Sequence, residues 1–284
     1  MKFIFGLLFV SACVVGGYLG GGGHLAVLWQ PLEFVIIIGG SIGAFIIATP
    51  VPIIKKTLAS LKWLIAPPAL ISKKGFMELL LLQKTVFKQA KTNGLLTLER
   101  HIDNPHESDI FNAHPLFCHN HHAVELLSDA LRLMLIGVKS PSQLEDMMNA
   151  EVDAMHHEAM KAPDAIQAMA DGMPALGIVA AVLGVIHTMG SISEPPEILG
   201  HLIGAALVGT FAGVLISYGL FAPMASAVKA VVEMEDMYLK CLKSGILAFA
   251  KGSAPNIAVE FARKELGSLV RPTFQELEEA GNGS

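Results

Sequence analysis

Four stretches of this chain, Phe3–Leu32, Phe34–Ile54, Gly172–Ser193 and Ile198–Val228, contain no Lys, Arg, Asp or Glu. At 1.5 Å per helical residue each is long enough to cross ~30 Å of hydrocarbon. They come in two pairs, with a polar block of more than a hundred residues between the pairs. A chain built this way cannot bury its apolar surface in one soluble core. The expected fold is an all-α membrane protein with four transmembrane helices in two pairs, a large helical cytoplasmic insertion and a helical cytoplasmic C-terminal segment. A hydrophobic content of 52%, a charged content of 16% and a mean hydropathy of +0.54 agree with that class.

The short loops set the expected orientation. Lys55, Lys56 and Lys62 follow the second stretch, and Lys229, Lys240 and Lys243 follow the fourth. The connections 20–31 and 191–200 carry no Lys or Arg. The positive-inside rule then places both termini and the block from Lys55 to Asp171 in the cytoplasm. Lys2 with the apolar run behind it, and Val10-Ser11-Ala12-Cys13 within it, resemble a removable signal. Its removal would leave three spans and put the Lys55–Lys74 cluster outside, so the first stretch is read as a retained span.

The intervening block reads as helices: Phe76–Ala90 stopped at Asn93-Gly94, then Leu95–Ile102 broken at Asp103-Asn104-Pro105. A third helical pattern spans Glu107 to Ile136, and Ser140-Pro141-Ser142-Gln143 starts another helix. Lys229–Lys251 continues helically beyond the fourth stretch, and Gly281–Ser284 is read as a frayed tail.

Enzyme chemistry finds little support. No Ser/His/Asp arrangement, phosphate loop or paired carboxylate appears, and Gly20–Gly23 is read as an outer turn rather than a nucleotide loop. Cys118-His119-Asn120-His121-His122 is the one metal-like cluster; on a single helix Cys118, His121 and His122 would share a face. A polar helix face is the plainer reading. A net charge of −5 argues against nucleic acid. Cys13, Cys118 and Cys241 are too scattered for a disulfide framework.

Inside the apolar stretches the polar inventory is short: Thr210, Ser217 and Tyr218 in the fourth, His187 and Thr188 in the third. Glu33 is read as the outer edge of the second. Small-residue pairs Gly177/Ala181, Ala180/Gly184, Gly200/Gly204 and Gly209/Gly213 allow close helix approach, and their spread over several faces suggests more than one neighbour. Pro174 and Pro223 lie at matching depths near the cytoplasmic ends of the last two stretches, a natural pivot. With hydroxyls and carbonyls alone at mid-depth, an ion path would need a carboxylate from a partner.

Several ordered motifs carry a resemblance. They are Leu98-Glu99-Arg100-His101-Ile102-Asp103-Asn104-Pro105, Glu107-Ser108 with Ile110-Phe111, and Pro174-Ala175-Leu176-Gly177 continuing to Val185. Val208-Gly209-Thr210-Phe211, Ile257-Ala258-Val259-Glu260-Phe261 and Arg271-Pro272-Thr273-Phe274 complete it. Over essentially its whole length the chain resembles the MotA family of bacterial flagellar motor stator subunits, within the wider group of TolQ/ExbB-type proton channels. The resemblance implies a homo-oligomeric ring, a pentamer, in the cell inner membrane around a MotB-like single-span partner. That partner carries the ion-binding Asp and a peptidoglycan-binding domain. Ion flow, protons rather than Na⁺, would drive torque on the rotor protein FliG, with no cofactor and no enzymatic step. A ring energising another machine, such as outer-membrane transport or gliding, is the alternative within the same group; an uncoupled membrane scaffold is the alternative outside it.

The same resemblance divides the chain into peripheral spans (1–54), a rotor-interacting cytoplasmic domain (55–171), ion-path spans facing the partner (172–228) and a cytoplasmic C-terminal helix and tail (229–284). It places Glu99 at the rotor-contacting acidic position and Lys91 where well-known members carry Arg. Lys keeps the charge but loses the bidentate fork. Pro174 and Pro223 match the coupling prolines, Thr210 matches a hydroxyl facing the ion path, and Tyr218 lies two turns further on the same helix.

Overall fold

The structure is a computed structural model describing residues 2–138 and 140–282. All regular elements among the described residues are helical. In chain order the longer ones are α1 (Lys2–Gly20), α2 (Leu25–Ala48), α3 (Val51–Ser60), α4 (Lys73–Asn93), α5 (His121–Ile136), α6 (Pro141–Met189), α7 (Pro196–Ala250), α8 (Pro255–Glu265) and α9 (Phe274–Asn282). α1, α2, α6 and α7 are long and apolar enough to cross a membrane. The chain divides into one unit of residues 1–66 and 159–230 and another of 67–158 and 231–284.

The first unit holds α1–α3 and the apolar parts of α6 and α7. The chain turns at Gly21–His24, with Gly22 at φ +83, so the second apolar helix starts at Leu25 rather than Phe34. It breaks briefly at Trp29–Gln30, restarts at Pro31 and carries a π-turn at Val35–Gly39. α7 carries a second π-turn at Ser217–Phe221. The contact between α6 and α7 is made by small residues: a Cβ on Gly177 would lie 2.8 Å from the Gly209 carbonyl oxygen and 3.1 Å from Gly213 Cα. Ala180 faces Gly209, and Gly184 faces Ala206. Most of the Gly/Ala pairs expected to meet several neighbours are therefore used within the chain, while Gly172 and Gly200 face open space.

The second unit is a soluble-type core. On α4 the buried positions Phe76, Leu79, Leu80, Gln83, Val86, Phe87 and Ala90 recur at helical spacing along one face. Packed with them are Leu98, Ile102, Phe111, Phe117, Leu126, Leu127, Leu144, Met148, Tyr238, Leu242 and Ile246. Phe87 and Phe249 stack at 4.7 Å between centroids. Truncating either Phe76 or Phe87, both fully buried, would cost roughly 3–5 kcal/mol.

Helix ends follow local chemistry. Ser72 accepts from Gly75 N at 3.2 Å, and Asn120 accepts from Ala123 N at 3.1 Å, each capping a helix start. Gly94 and Gly137, at φ +87 and +93, end α4 and α5 as expected for residues free of a Cβ.

Two expectations need correction. The pattern from Glu107 to Ile136 is three helical pieces, Asp109–Asn112, Pro115–Cys118 and His121–Ile136. Pro115 restarts the chain, and the Asn120 side chain caps α5, so neither allows a continuous helix. The tail read as frayed is helical through Asn282; Gly283 and Ser284 lie outside the described residues.

Candidate functional site: a proline-relayed helix seam and a charged turn

The first group of candidate residues gathers on the α6–α7 seam. Pro174 sits inside the 49-residue α6, which continues through both Pro163 and Pro174. Proline has no N–H, so the carbonyl four residues back, that of Ala170, loses its helical donor. The Ser217 hydroxyl of α7 donates to the Ala170 oxygen at 2.7 Å, and both residues are fully buried. The hydroxyl thus replaces the missing amide across the seam.

Ser217 in turn opens the π-turn Ser217–Phe221, which ends two residues before Pro223. A proline at 223 also withholds an amide, and the widened turn accommodates it: the Ala222 N–H bonds the Ser217 carbonyl five residues back. Ser217 therefore stands between the two prolines, its side chain serving the carbonyl freed by Pro174 and its own carbonyl taking the widened bond before Pro223.

Thr210 lies on the same seam, half-buried, its Cα 3.4 Å from where a Gly177 Cβ would stand. Tyr218 projects outward, 64% exposed, on a face of α7 that also presents Leu207, Phe211 and Val214. Thr188 bonds its own Gly184 carbonyl at 2.9 Å, the usual fate of a membrane-helix hydroxyl, whereas Ser217 bonds across helices.

A carboxylate belongs to this seam, contrary to the reading of uncharged spans with Glu33 at an edge. Glu33 lies inside α2, and its Oε2 is buried without a hydrogen-bond partner. That oxygen stands 2.7 Å from where a Gly209 Cβ would be. The cause is the early turn at Gly21–His24, which draws Glu33 about two helical turns inward. A single acid between two apolar stretches, in a helix that starts earlier than its hydropathy suggests, was the available signal.

The second group lies in the other unit. Lys91 occupies the last turn of α4 and Glu99 opens the segment Glu99–Asp103; both are exposed. Gly94 and the 3-10 turn Leu95–Leu98, anchored by buried Leu98, bring them to the same end of α4. The motif around Glu99 is a braced loop. Arg100 pairs with Asp109 at 3.1 Å, Arg132 with Asp103 at 3.4 Å, and His101 Nδ1 meets Ser108 Oγ at 2.9 Å.

Ser108 also caps the next helical turn by accepting from Phe111 N at 3.2 Å. Burial pushes the His101 imidazole below the usual histidine range, Arg100 pushes the same way, and Asp109 opposes. Exposed ion pairs such as these contribute ~0–1 kcal/mol each, so their role is to hold the loop's shape.

The Cys118–His122 cluster does not align as one helix would align it. Cys118 Sγ donates to Asn112 Oδ1 at 3.4 Å, His119 Nδ1 sits 2.5 Å from the Pro115 oxygen, and His121 starts a different helix. Among the described residues no group of three ligands is assembled for a metal ion.

Comparison with known proteins bears on the whole length. A family model described as Motility protein A N-terminal matches residues 4–94, and one described as the MotA/TolQ/ExbB proton channel family matches residues 119–240. Motility protein A of Escherichia coli (strain K12) is 39% identical over 279 residues, covering 98% of this chain and 94% of that protein. Chemotaxis protein LafT of Vibrio parahaemolyticus is 33% identical over 278 residues, covering 98% and 97%. The flagellar MotAB stator complex from Bacillus subtilis contains a chain of the same fold, with TM-score 0.74, 24% identity, and coverage of 97% and 100%. With two domain models in order and identity sustained end to end, the chain belongs to the motility protein A family, the flagellar-stator branch of the MotA/TolQ/ExbB proton channels.

Proposed function

We propose that the chain is the ring subunit of a proton-driven stator. Copies of it, five by family resemblance, surround the single spans of a MotB-like partner. The partner supplies the ion-binding Asp and a peptidoglycan-binding domain that anchors the assembly. The complex sits in the inner membrane with both termini of this chain in the cytoplasm, as the Lys55, Lys56 and Lys62 cluster favours.

The observation that carries this reading is the exposed face of α7. Leu207, Phe211, Val214 and Tyr218 stand uncovered next to half-buried Thr210, and no charged side chain lies among them. Such a face suits a partner helix, and a hydroxyl beside it suits a path whose carboxylate arrives from elsewhere. A bare Asp near the bilayer centre costs roughly 2.5–3.5 kcal/mol, which a surrounding ring of helices offsets. A potential of 100 mV supplies ~2.3 kcal/mol per proton, enough to bias a small shift of packed helices.

The Pro174–Ser217–Pro223 relay is the element we assign to that shift. The charged turn bearing Lys91 and Glu99 is the surface we assign to FliG. Long-range attraction operates for Lys91 even without the fork geometry of Arg.

The test is deletion of the gene followed by complementation. Cells should keep assembled filaments yet fail to swim until the chain and its partner are restored. Swimming speed in Na⁺-free medium should be unchanged; loss of swimming there would replace the proton by Na⁺.

A further inference from the structure

We infer that Glu33 is a proton-binding site carried by this chain itself, separate from the partner's carboxylate. Its side chain reaches from α2 into the α6–α7 seam, where the neighbouring positions are Ala180, Ala181, Gly184, Ala206 and Gly209. Two of these are glycines that make room for the carboxyl. A Cβ on residue 209 would stand 2.7 Å from Oε2, and one on residue 184 would stand 3.5 Å from Oε1. Oε2 is buried and has no hydrogen-bond partner.

None of these five neighbours is titratable. On the helices packed against the carboxyl, the titratable groups nearest along the chain are His187 on α6, with His201 and Glu197 on α7. All three are exposed, as is His24 at the turn before α2. No Lys or Arg lies between Lys2 and Lys55, or between Lys161 and Lys229, to neutralise the charge.

An unpaired charge in such a setting is expensive, and a bound proton removes it. The backbone around Glu33 is correspondingly irregular: the helix breaks at Trp29–Gln30 and widens into the π-turn Val35–Gly39 directly afterwards. Single π-turns recur where a helix is adjusted for a site. Proton binding here is a simple transfer. A hydronium ion that reaches the carboxylate gives up its proton, forming the carboxyl O–H, and leaves as water. Loss of that proton places a charge between α6 and α7, so the occupancy of Glu33 governs how closely the seam packs.

Infrared difference spectroscopy of the chain with its partner in lipid vesicles tests this. At neutral pH the wild type should show the C=O stretch of a neutral carboxylic acid that shifts on labelling with ¹³C-glutamate and is missing in Glu33→Gln. Labelled wild type alone displays the shifted band, so a misfolded variant cannot hide it. A second variant, Gly209→Ala, should move or abolish the band by crowding Oε2. Absence of any labelled neutral-acid band at neutral pH, or its persistence in Glu33→Gln, would overturn the assignment. The readout is independent of motility, so it stands apart from the stator reading.

Discussion

Replacing Ser217 by Ala removes a cross-helix donor to the Ala170 carbonyl, and its effect depends on what stands at 174. In the wild type the bond is 2.7 Å long and fully buried, so its loss leaves an unsatisfied oxygen. A buried orphan acceptor costs about 1–3 kcal/mol in soluble proteins. Side-chain hydrogen bonds within membranes average ~0.6 and reach ~1.7 kcal/mol. About 1 kcal/mol is therefore expected for Ser217→Ala, a fall of roughly 2 °C in unfolding midpoint for a chain of this size.

Alanine at 174 changes the outcome, because its amide returns to the Ala170 oxygen. In a Pro174→Ala background the cost of Ser217→Ala should fall close to zero, giving a coupling energy of about 1 kcal/mol. Thermal unfolding of the four variants in lipid nanodiscs measures the cycle. An equal cost for Ser217→Ala in both backgrounds would refute the relay between the two helices. Pro174→Ala by itself should raise stability, since proline is ~3 kcal/mol worse than alanine inside a helix, while abolishing torque.

Further expectations concern the same features. Gly177→Ala should prevent close packing of α6 on α7, because its Cβ would stand 2.8 Å from a backbone oxygen; yield of folded protein in membranes reads this out, and normal yield counts against the seam. His101 has a depressed folded pKa, so the unfolded chain binds more protons. That contribution to stability is complete above the unfolded value of ~6.5 and is lost as pH falls from there through the lowered folded value. His101→Gln should flatten the decline between about pH 7 and pH 5 in a thermal-shift titration; an unchanged profile would remove His101 from the account. Charge reversal at Glu99 should weaken rotor coupling and be partly restored by a reversed rotor charge, scored as swarm diameter; failure of every partner charge would reduce Glu99 to a surface group.

Much of this architecture is legible in the chain because the signals are local. Absence of charge over about 20 residues marks the membrane helices, and Gly94, Gly137 and the Ser140-Pro141 start mark helix ends by backbone chemistry alone. Lys91 and Glu99 stand out only through the surrounding motif, since exposed charges have no local signature. What stayed hidden depends on distance or on small differences in turn placement. The Ser217–Ala170 bond joins residues 47 apart, and nothing in either segment names its partner.

Glu33 was hidden by a different cause. The glycine turn is legible, but Gln30-Pro31 after it reads as the end of the same connection, so an acid inside α2 looks like one at its edge. The pieces between 107 and 136 look like one helical pattern because apolar spacing survives across Pro115 and Asn120 while the hydrogen-bond ladder does not.

Under the proposed function this chain converts proton flow into rotation. The most direct test of this is the rotation of a bead attached to a filament in a cell lacking the gene, while the chain and its partner are induced in Na⁺-free buffer. The account predicts no rotation before induction, rising speed as the chain accumulates, and collapse on addition of a protonophore. Rotation that is present without the chain, or that persists after the proton gradient is dissipated, would contradict it.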